Sequence, residues 1–436
     1  MDLHLVWQPI PYIPVTLFGL FLVSALALDP GKQYHLRPLL FLPILWLTYR
    51  LIYDGEAGIG STFWFAWLAR ASELMLLTKN VPNRLSPATT TGQSTDKEAP
   101  AKNIEAFSLS TRIENACLIA FNCRGIGEPN EPPSLRSRRI PRRGPYTKSK
   151  SKSKSPNGTC TKSQFILTQL TRLLSSVLII DLWNLHGRRN PGLHLKLGLA
   201  AAGWYWRAVG ILMFAAGIAS VLQGMHCVIS IFCIFLGIGG SADIEEWPLL
   251  FSLRWENVRT LRAFWGQGWH HLLRLPLNAH AKFICQTILR LPADRSPLSS
   301  ITYFFLVFAL SGLVHYLGEC VSLGFGFGFG FGQQKESESS GALLFFSLQA
   351  LGIALEYVVL EATGLLKPTS SRWYRLLGNV LSVGYVIGWF ALTGPIWVDP
   401  LIKAGALEMN LEWSFVMWLW TGQVALPQRL GGGGIE

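Results

Sequence analysis

Residues 300–319 read SITYFFLVFALSGLVHYLGE, a twenty-residue run that is apolar almost throughout and carries a histidine near its end. About 20 mainly apolar residues are what a helix needs to cross a bilayer. Comparable runs recur along the chain and predict about nine membrane-spanning segments. These segments are 11–28, 36–53, 58–77, 203–222, 224–240, 301–318, 342–363, 376–398 and 411–426.

The composition supports the same class of fold. The 436 residues are 50% hydrophobic and only 15% charged, whereas soluble domains carry roughly 25% charged residues. Too few polar residues remain to cover the surface of a soluble protein of this size. We therefore predict an all-α integral membrane protein with about nine transmembrane helices.

Loop charge predicts the orientation in the membrane. The net charge is +12, and basic residues are concentrated in the insertion 78–163 and in the loop 241–300. The positive-inside rule places both in the cytosol, with the N-terminus in the lumen and the C-terminus in the cytosol. Segment 165–183 carries Arg172 and Asp181, so we expect an interfacial or re-entrant helix there. Basic loops between apolar segments indicate contact with the lipid bilayer and no nucleic-acid partner.

The chain divides into three parts by composition. Within the basic insertion, residues 84–103 and 136–156 lack the apolar content to fold and are expected to be disordered. The more apolar island 113–127 is expected to dock on the membrane body. The predicted parts are 1–77, N-terminal transmembrane helices; 78–163, a basic and largely disordered cytosolic insertion; and 164–436, the membrane core.

His315 is the first candidate for chemistry. A titratable group in an apolar span costs free energy unless it has a partner or faces a cavity. Burial disfavours the imidazolium, so a neutral ring there can accept a proton near pH 7. A structural histidine bonded to a neighbouring helix is the alternative, and the residue alone leaves both interpretations open.

The second candidate is the stretch 260–274, which reads TLRAFWGQGWHHLLR. The offsets between Trp265, Trp269, His270 and His271 predict that aromatic rings and histidines lie along one side of a helix. An amphipathic interfacial helix of Trp and Arg is the alternative. Elsewhere in the chain we find no GxSxG, Walker or HExxH motif. The seven cysteines form no CxxC pair, so a zinc site is not suggested.

Four stretches together resemble the fungal wax-synthase-like branch of the membrane-bound O-acyltransferases. They are FNCRGIG at 121–127, WPLLF at 247–251, TLRAFWGQGWH at 260–270 and SGLVH at 311–315. The sequence departs from that branch where Glu128 and Pro129 follow RGIG, in place of a common Trp. It also departs in having two Leu-Arg pairs before Phe264, at 253–254 and at 261–262.

The resemblance implies roles for particular residues. It makes His315 the general base in a buried reaction chamber surrounded by the helices. It places His270 where sterol and diacylglycerol acyltransferases carry Asn. In those enzymes a Glu often follows the catalytic His directly, whereas here Tyr316 follows and Glu319 comes one helical turn later. His271, Trp265, Trp269 and Glu319 are the predicted supporting residues.

The implied activity is transfer of an acyl group, acetyl first, from acyl-CoA to a hydroxyl of a lipophilic, terpenoid-type fungal metabolite. Long-chain wax-ester synthesis is the alternative within the family. A membrane transporter and a catalytically inactive scaffold are the alternatives outside it. We expect no metal and no cofactor besides the co-substrate, and a multi-pass protein of the endoplasmic reticulum. The predicted CoA-binding residues are Arg254, Arg259, Arg262 and Lys282.

Overall fold

The computed structural model describes thirteen stretches of the chain, and the predicted disordered segments 84–103 and 136–156 lie outside them. The described residues are 12–28, 33–53, 61–78, 108–128, 131, 135, 161–237, 244–252, 254–292, 296–323, 340–363, 372–407 and 414–421.

Regular structure in these stretches is entirely helical, which confirms the predicted all-α membrane fold. Short 3-10 and π turns extend several of the helices. The α-helices are α1 Tyr12–Ala27, α2 Arg37–Tyr53, α3 Ser61–Ser72, α4 Leu109–Ala120, α5 Lys162–Arg189, α6 Pro191–His194, α7 Gly203–Leu236, α8 Trp255–Val258, α9 Leu261–Ala263, α10 Arg274–Phe283, α11 Pro297–Leu323, α12 Ala342–Thr363, α13 Arg372–Lys403 and α14 Phe415–Thr421.

Five described helices are long and apolar enough to cross a membrane, by length and composition. The prediction of separate spans at 203–222 and 224–240 is wrong, because α7 is one continuous helix of 34 residues. A lone glycine at 224 costs a helix only about 1 kcal/mol, too little to end it. The five are α5, α11, the greater parts of α12 and α13, and the stretch Leu199–Leu236, which contains α7.

Helix α5 is long and apolar enough to cross a membrane, by length and composition, and an interfacial position for 165–183 stays a prediction. The helix runs unbroken for 28 residues from a Thr161–Gln164 capping box, which is at odds with a re-entrant segment. One of the two charges that argued against a span has a partner, because the Asp181 carboxylate accepts the backbone N–H of Val416 at 2.9 Å. Val416 lies in the first turn of α14, where N–H groups lack intrahelical acceptors.

A second carboxylate in an apolar helix is satisfied in the same way. Asp399 of α13 accepts the N–H groups of Leu199 and Ala200 at 2.7 and 3.1 Å. These residues begin the 3-10 turn Leu199–Ala202 that leads into α7. A helix start offers both unpaired donors and a positive dipole end, so a buried carboxylate is stabilised there.

The chain forms two compact units, and each is described by itself. Unit 1 comprises Met1–Arg136 with His271–Ser347, and unit 2 comprises Ser137–His270 with Leu348–Glu436. Helices α1 to α4, α10 and α11 belong to unit 1, and α5 to α9, α13 and α14 to unit 2. The start of α12 belongs to unit 1 and the rest of it to unit 2.

A buried arginine organises unit 1. Arg70, at 3% exposure, lies 2.8 Å from the Glu73 carboxylate and 3.6 Å from that of Glu128. It also donates to the backbone oxygens of Ile119 and Asn122 at 3.3 and 3.2 Å. This network ties the loop after α4 to α3.

The FNCRGIG loop therefore docks on the helices of unit 1, as predicted. Gly125 has a φ of +65°, and a Cβ there would lie 3.0 Å from Leu275 of α10. Arg37, the first residue of α2, is also buried. Its Nε donates to the Ala25 oxygen at 3.2 Å and its Nη1 to the Thr78 oxygen at 3.3 Å.

Candidate functional site

His315 lies in α11 and its ring is held in a defined orientation. Nδ1 lies 2.8 Å from the backbone oxygen of Ser311, one turn earlier. A carbonyl oxygen only accepts, so Nδ1 carries the proton and Nε2 is the basic nitrogen. The ring packs on Phe346 of α12, with centroids 4.6 Å apart and planes at 30°. This arrangement puts the proton on Nδ1 and leaves the general-base role of Nε2 a prediction.

Two glycines near His315 allow neighbouring backbones to approach α11 closely. Gly312 and Gly318 lie in α11 three residues before and three residues after it. A Cβ at Gly312 would lie 2.8 Å from the Leu343 Cα, and one at Gly318 2.6 Å from the Thr62 Cα. Both positions therefore admit only glycine without movement, and the close backbone approach fixes the position of His315.

Glu319, a predicted supporting residue, is 8% exposed. Its carboxylate accepts a hydrogen bond from the Ser340 hydroxyl. The Ser340 oxygen in turn accepts one from the Ala342 N–H at 3.2 Å. Glu319 thus links the end of α11 to the start of α12. A supporting role beside His315 stays a prediction.

The Trp-His stretch is not one helix, so the prediction of rings along one helical side is wrong. Helix α9 passes into a π-helical turn, Phe264–Gly268, and the chain is extended at Trp269 with ψ 166°. His270 and His271 follow outside any helix. A Cβ at Gly268 would lie 2.8 Å from the Asn257 oxygen, so the turn depends on a glycine that helix periodicity does not reveal.

Aromatic rings surround His270 in unit 2. Trp269 stacks on Phe264 with centroids 5.3 Å apart and meets Phe251 edge-on at 5.0 Å. The His270 ring lies edge-on to Phe251 at 5.8 Å. Trp265 lies 6.0 Å from Trp269. Three predicted site residues, Trp265, Trp269 and His270, are thus brought together by packing.

The division between the two units falls between the adjacent histidines. His270 belongs to unit 2, whereas His271 and His315 belong to unit 1. His271 is buried at 3% exposure, and its backbone oxygen accepts the Arg274 N–H at 3.2 Å. His270 is only half-buried. His315 and Glu319 share α11, four residues apart.

Three of the predicted CoA-binding cations are exposed, and their role in CoA binding stays a prediction. Arg254, Arg262 and Lys282 are exposed and Arg259 is half-buried. The Arg254 Nε lies 3.4 Å from the Glu256 carboxylate. The three arginines belong to unit 2 and Lys282 to unit 1.

Sequence reasoning missed Glu356, a carboxylate in the middle of the predicted span 342–363. It is 5% exposed and accepts the N–H groups of Leu261 and Arg262 at 2.8 and 3.2 Å. The available signal was its position, because an ionisable residue inside an apolar span has a specific partner or function.

Desolvation raises the pKa of the Cys123 thiol in the FNCRGIG loop, which disfavours the nucleophilic thiolate. In the part of the chain that the structure describes, no three His, Cys, Asp or Glu side chains are arranged to hold a metal ion.

Comparison with known proteins gives consistent matches. A family model described as "Membrane bound O-acyl transferase family" matches residues 247–347, which include both the Trp-His stretch and His315. No solved structure matches the chain.

The chain is 26% identical over 328 residues to the acetyltransferase ple2 of Rhodocybe pseudopiperita, covering 75% of this chain and 77% of that protein. It is 26% identical over 391 residues to the acetyltransferase eriL of Hericium erinaceus, covering 87% and 88%. It is 28% identical over 261 residues to the acetyltransferase aurG of Calcarisporium arbuscula, covering 56% and 58%. The family model and these relatives together support a fungal branch of the membrane-bound O-acyltransferase superfamily.

Proposed function

We propose that this protein transfers an acetyl group from acetyl-CoA to a hydroxyl of a lipophilic secondary metabolite. The family supplies the reaction class, and relatives that carry the word acetyltransferase in their names support the acetyl donor. The observation that carries the chemistry is the His315 ring, whose Nδ1 faces the Ser311 oxygen at 2.8 Å.

In the proposed mechanism, His315 Nε2 accepts the proton of the acceptor hydroxyl as its oxygen attacks the thioester carbonyl. The tetrahedral intermediate then collapses and the C–S bond breaks. The imidazolium returns its proton to the departing CoA sulfur. The protein forms no covalent intermediate, and the sequence of steps needs no metal or cofactor. The acceptor is a lipophilic alcohol that arrives from the bilayer of the endoplasmic reticulum.

We extend the proposal to His270 and to the basic residues. His270 orients the reactants or donates a hydrogen bond to the developing oxyanion. Its half-buried ring and its Phe251 and Trp269 neighbours support this role. Arg254, Arg259, Arg262 and Lys282 contribute to binding of the CoA phosphates. Arg262→Ala is therefore expected to raise the KM for acetyl-CoA while kcat changes little.

Purified protein in detergent, radiolabelled acetyl-CoA and a panel of polycyclic and straight-chain alcohols test the activity. A radiolabelled acetyl ester of a polycyclic alcohol is expected. Palmitoyl-CoA run in parallel tests the long-chain alternative. Product from palmitoyl-CoA without product from acetyl-CoA would overturn the choice of donor. No ester from either donor would overturn acyl transfer itself.

Single-turnover kinetics of variants test the mechanism, with matched amounts of folded protein. His315→Ala is expected to lose about 10² to 10⁴-fold in rate, the range for a removed general base, with acetyl-CoA affinity retained. His194→Ala is the control, since His194 is exposed on the short helix α6. Near-normal turnover of His315→Ala contradicts the mechanism.

The histidine pair gives a second comparison. His270→Ala is expected to lose turnover, and His270→Asn to retain part of it, because an amide still donates a hydrogen bond. His271→Ala is expected to have the milder effect on turnover. Because His271 is buried, both alanine variants are compared at equal amounts of monodisperse protein. A His271 variant slower than the His270 variant means that the wrong member of the pair was chosen.

A further inference from the structure

At the start of the Trp-His stretch, two side chains accept three successive backbone N–H groups, those of residues 261 to 263. Thr260 is the N-cap, and its hydroxyl accepts the Ala263 N–H at 3.0 Å. The preceding donors, on Leu261 and Arg262, bond to the two carboxylate oxygens of Glu356 at 2.8 and 3.2 Å. An N-cap residue normally leaves these first donors to water. Here a buried carboxylate from another helix takes both.

This attachment matters because the segment is too short to hold its own shape. Helix α9 has three residues and the π turn after it has five, whereas isolated helices below about 12 residues are marginal. The π turn ends directly before Trp269 and His270. The orientation of these side chains thus depends on what fixes the start of the segment.

Helix α13 contacts both the helix that carries Glu356 and the anchored segment. Tyr385 of α13 donates its hydroxyl to the Gly352 oxygen of α12 at 2.8 Å, one turn before Glu356. From the same helix α13, the Phe390 ring lies 5.0 Å from Phe264 and 6.0 Å from Trp265. The segment is therefore held by hydrogen bonds from α12 and by ring contacts from α13.

We propose that Glu356 is a positioning residue for acyl transfer, which sets the Trp265–His270 segment in its working orientation through two backbone hydrogen bonds. This inference rests on the proposed function for the role of His270. The alternative is an ordinary structural cap. Asp399 provides the comparison, because it caps the turn Leu199–Ala202 with the same pair of bonds and that turn carries none of the proposed site residues.

The test uses full-length protein with Glu356→Gln, which keeps the size of the side chain and replaces one acceptor oxygen by a donor. Asp399→Asn is the matched control for a carboxylate cap elsewhere. Glu361→Gln, on an exposed position of the same helix, controls for charge. Residue-resolved hydrogen–deuterium exchange of a peptide spanning 256–270 and steady-state kinetics with acetyl-CoA are measured on all three variants.

In Glu356→Gln, exchange of the amides at 261 and 262 is expected to rise at least about tenfold. The kcat is expected to fall about 10 to 100-fold, as for displaced reacting groups, with the KM for acetyl-CoA changed less than about twofold. Both controls are expected to leave exchange in this peptide and kcat near wild type. In the double variant with His270→Ala, the Glu356 change should add little further loss of kcat, because both act through one segment.

Failure of the anchor, of the positioning role and of the proposed function each gives a different result. Unchanged exchange at 261 and 262 overturns the anchor, whatever the activity. Faster exchange with wild-type kcat, or fully additive losses with His270→Ala, leaves Glu356 a structural cap and overturns the positioning role. A wild-type protein without acetyl transfer overturns the proposed function, and the positioning role with it, while exchange still reports on the anchor alone.

Discussion

Gly318→Ala is a sharp test of how α11 holds His315. The added Cβ would lie 2.6 Å from the Thr62 Cα and 2.8 Å from the Thr62 nitrogen. Both are backbone atoms, so no side-chain rotation relieves the contact. Ordinary carbon contacts begin near 3.5 Å, so α3 and α11 must separate by about 1 Å. Overpacking of this kind costs about 1–3 kcal/mol, against a gain of about 1 kcal/mol for Ala over Gly in a helix.

Gly318→Ala is expected to lower the rate of acyl transfer more than it lowers the stability of the protein. A displacement of about 1 Å of a reacting group can cost on the order of 10²-fold in rate, and Gly318 lies one turn from His315. We therefore expect Gly318→Ala to lose about 10 to 100-fold in single-turnover rate while the apparent Tm falls by only a few degrees. The assay is acyl transfer by detergent-purified protein, matched for monodisperse material.

Gly19→Ala is the control in the same unit, because a Cβ there meets nothing within 4 Å. It is expected to keep the wild-type rate and to equal or exceed the wild-type Tm. Wild-type turnover in Gly318→Ala would refute the idea that close backbone packing positions His315. Equal losses in both variants would attribute the effect to glycine replacement in general.

Three further predictions concern the buried arginine, the basic insertion and the orientation in the membrane. Arg70→Ala removes the guanidinium that lies beside two buried carboxylates, which costs about 3–5 kcal/mol, so little monodisperse protein is expected on size-exclusion chromatography; a wild-type yield contradicts this. Deleting 84–103 together with 136–156 is expected to leave turnover within about twofold, because their composition cannot build a core; loss of activity at normal protein levels would make them functional. Epitope tags at positions 145 and 294 are expected to be digested by protease added to intact microsomes; protection of either tag would reverse the predicted orientation.

The sequence by itself determined the class of the protein. Low charge and long apolar runs are enough to predict an all-α membrane fold. A bilayer core offers no water, so a spanning chain has few other ways to satisfy its backbone hydrogen bonds. Composition also located α12 and the apolar part of α13 to within a few residues. His315 was visible because a titratable residue in an apolar run is costly wherever it lies. These features are local, and local physics determines them.

Only the tertiary structure decided how the polar groups are paired. Glu356 and Leu261 lie 95 residues apart in sequence, and Asp181 and Val416 lie 235 apart. Composition marks such a carboxylate as costly but does not say which helix start satisfies it. The Trp-His stretch likewise has helical spacing, yet Gly268 and the Glu356 carboxylate give it a π turn and an extended end. The orientation of a short segment is determined by long-range packing, because its own few hydrogen bonds are too weak to fix it.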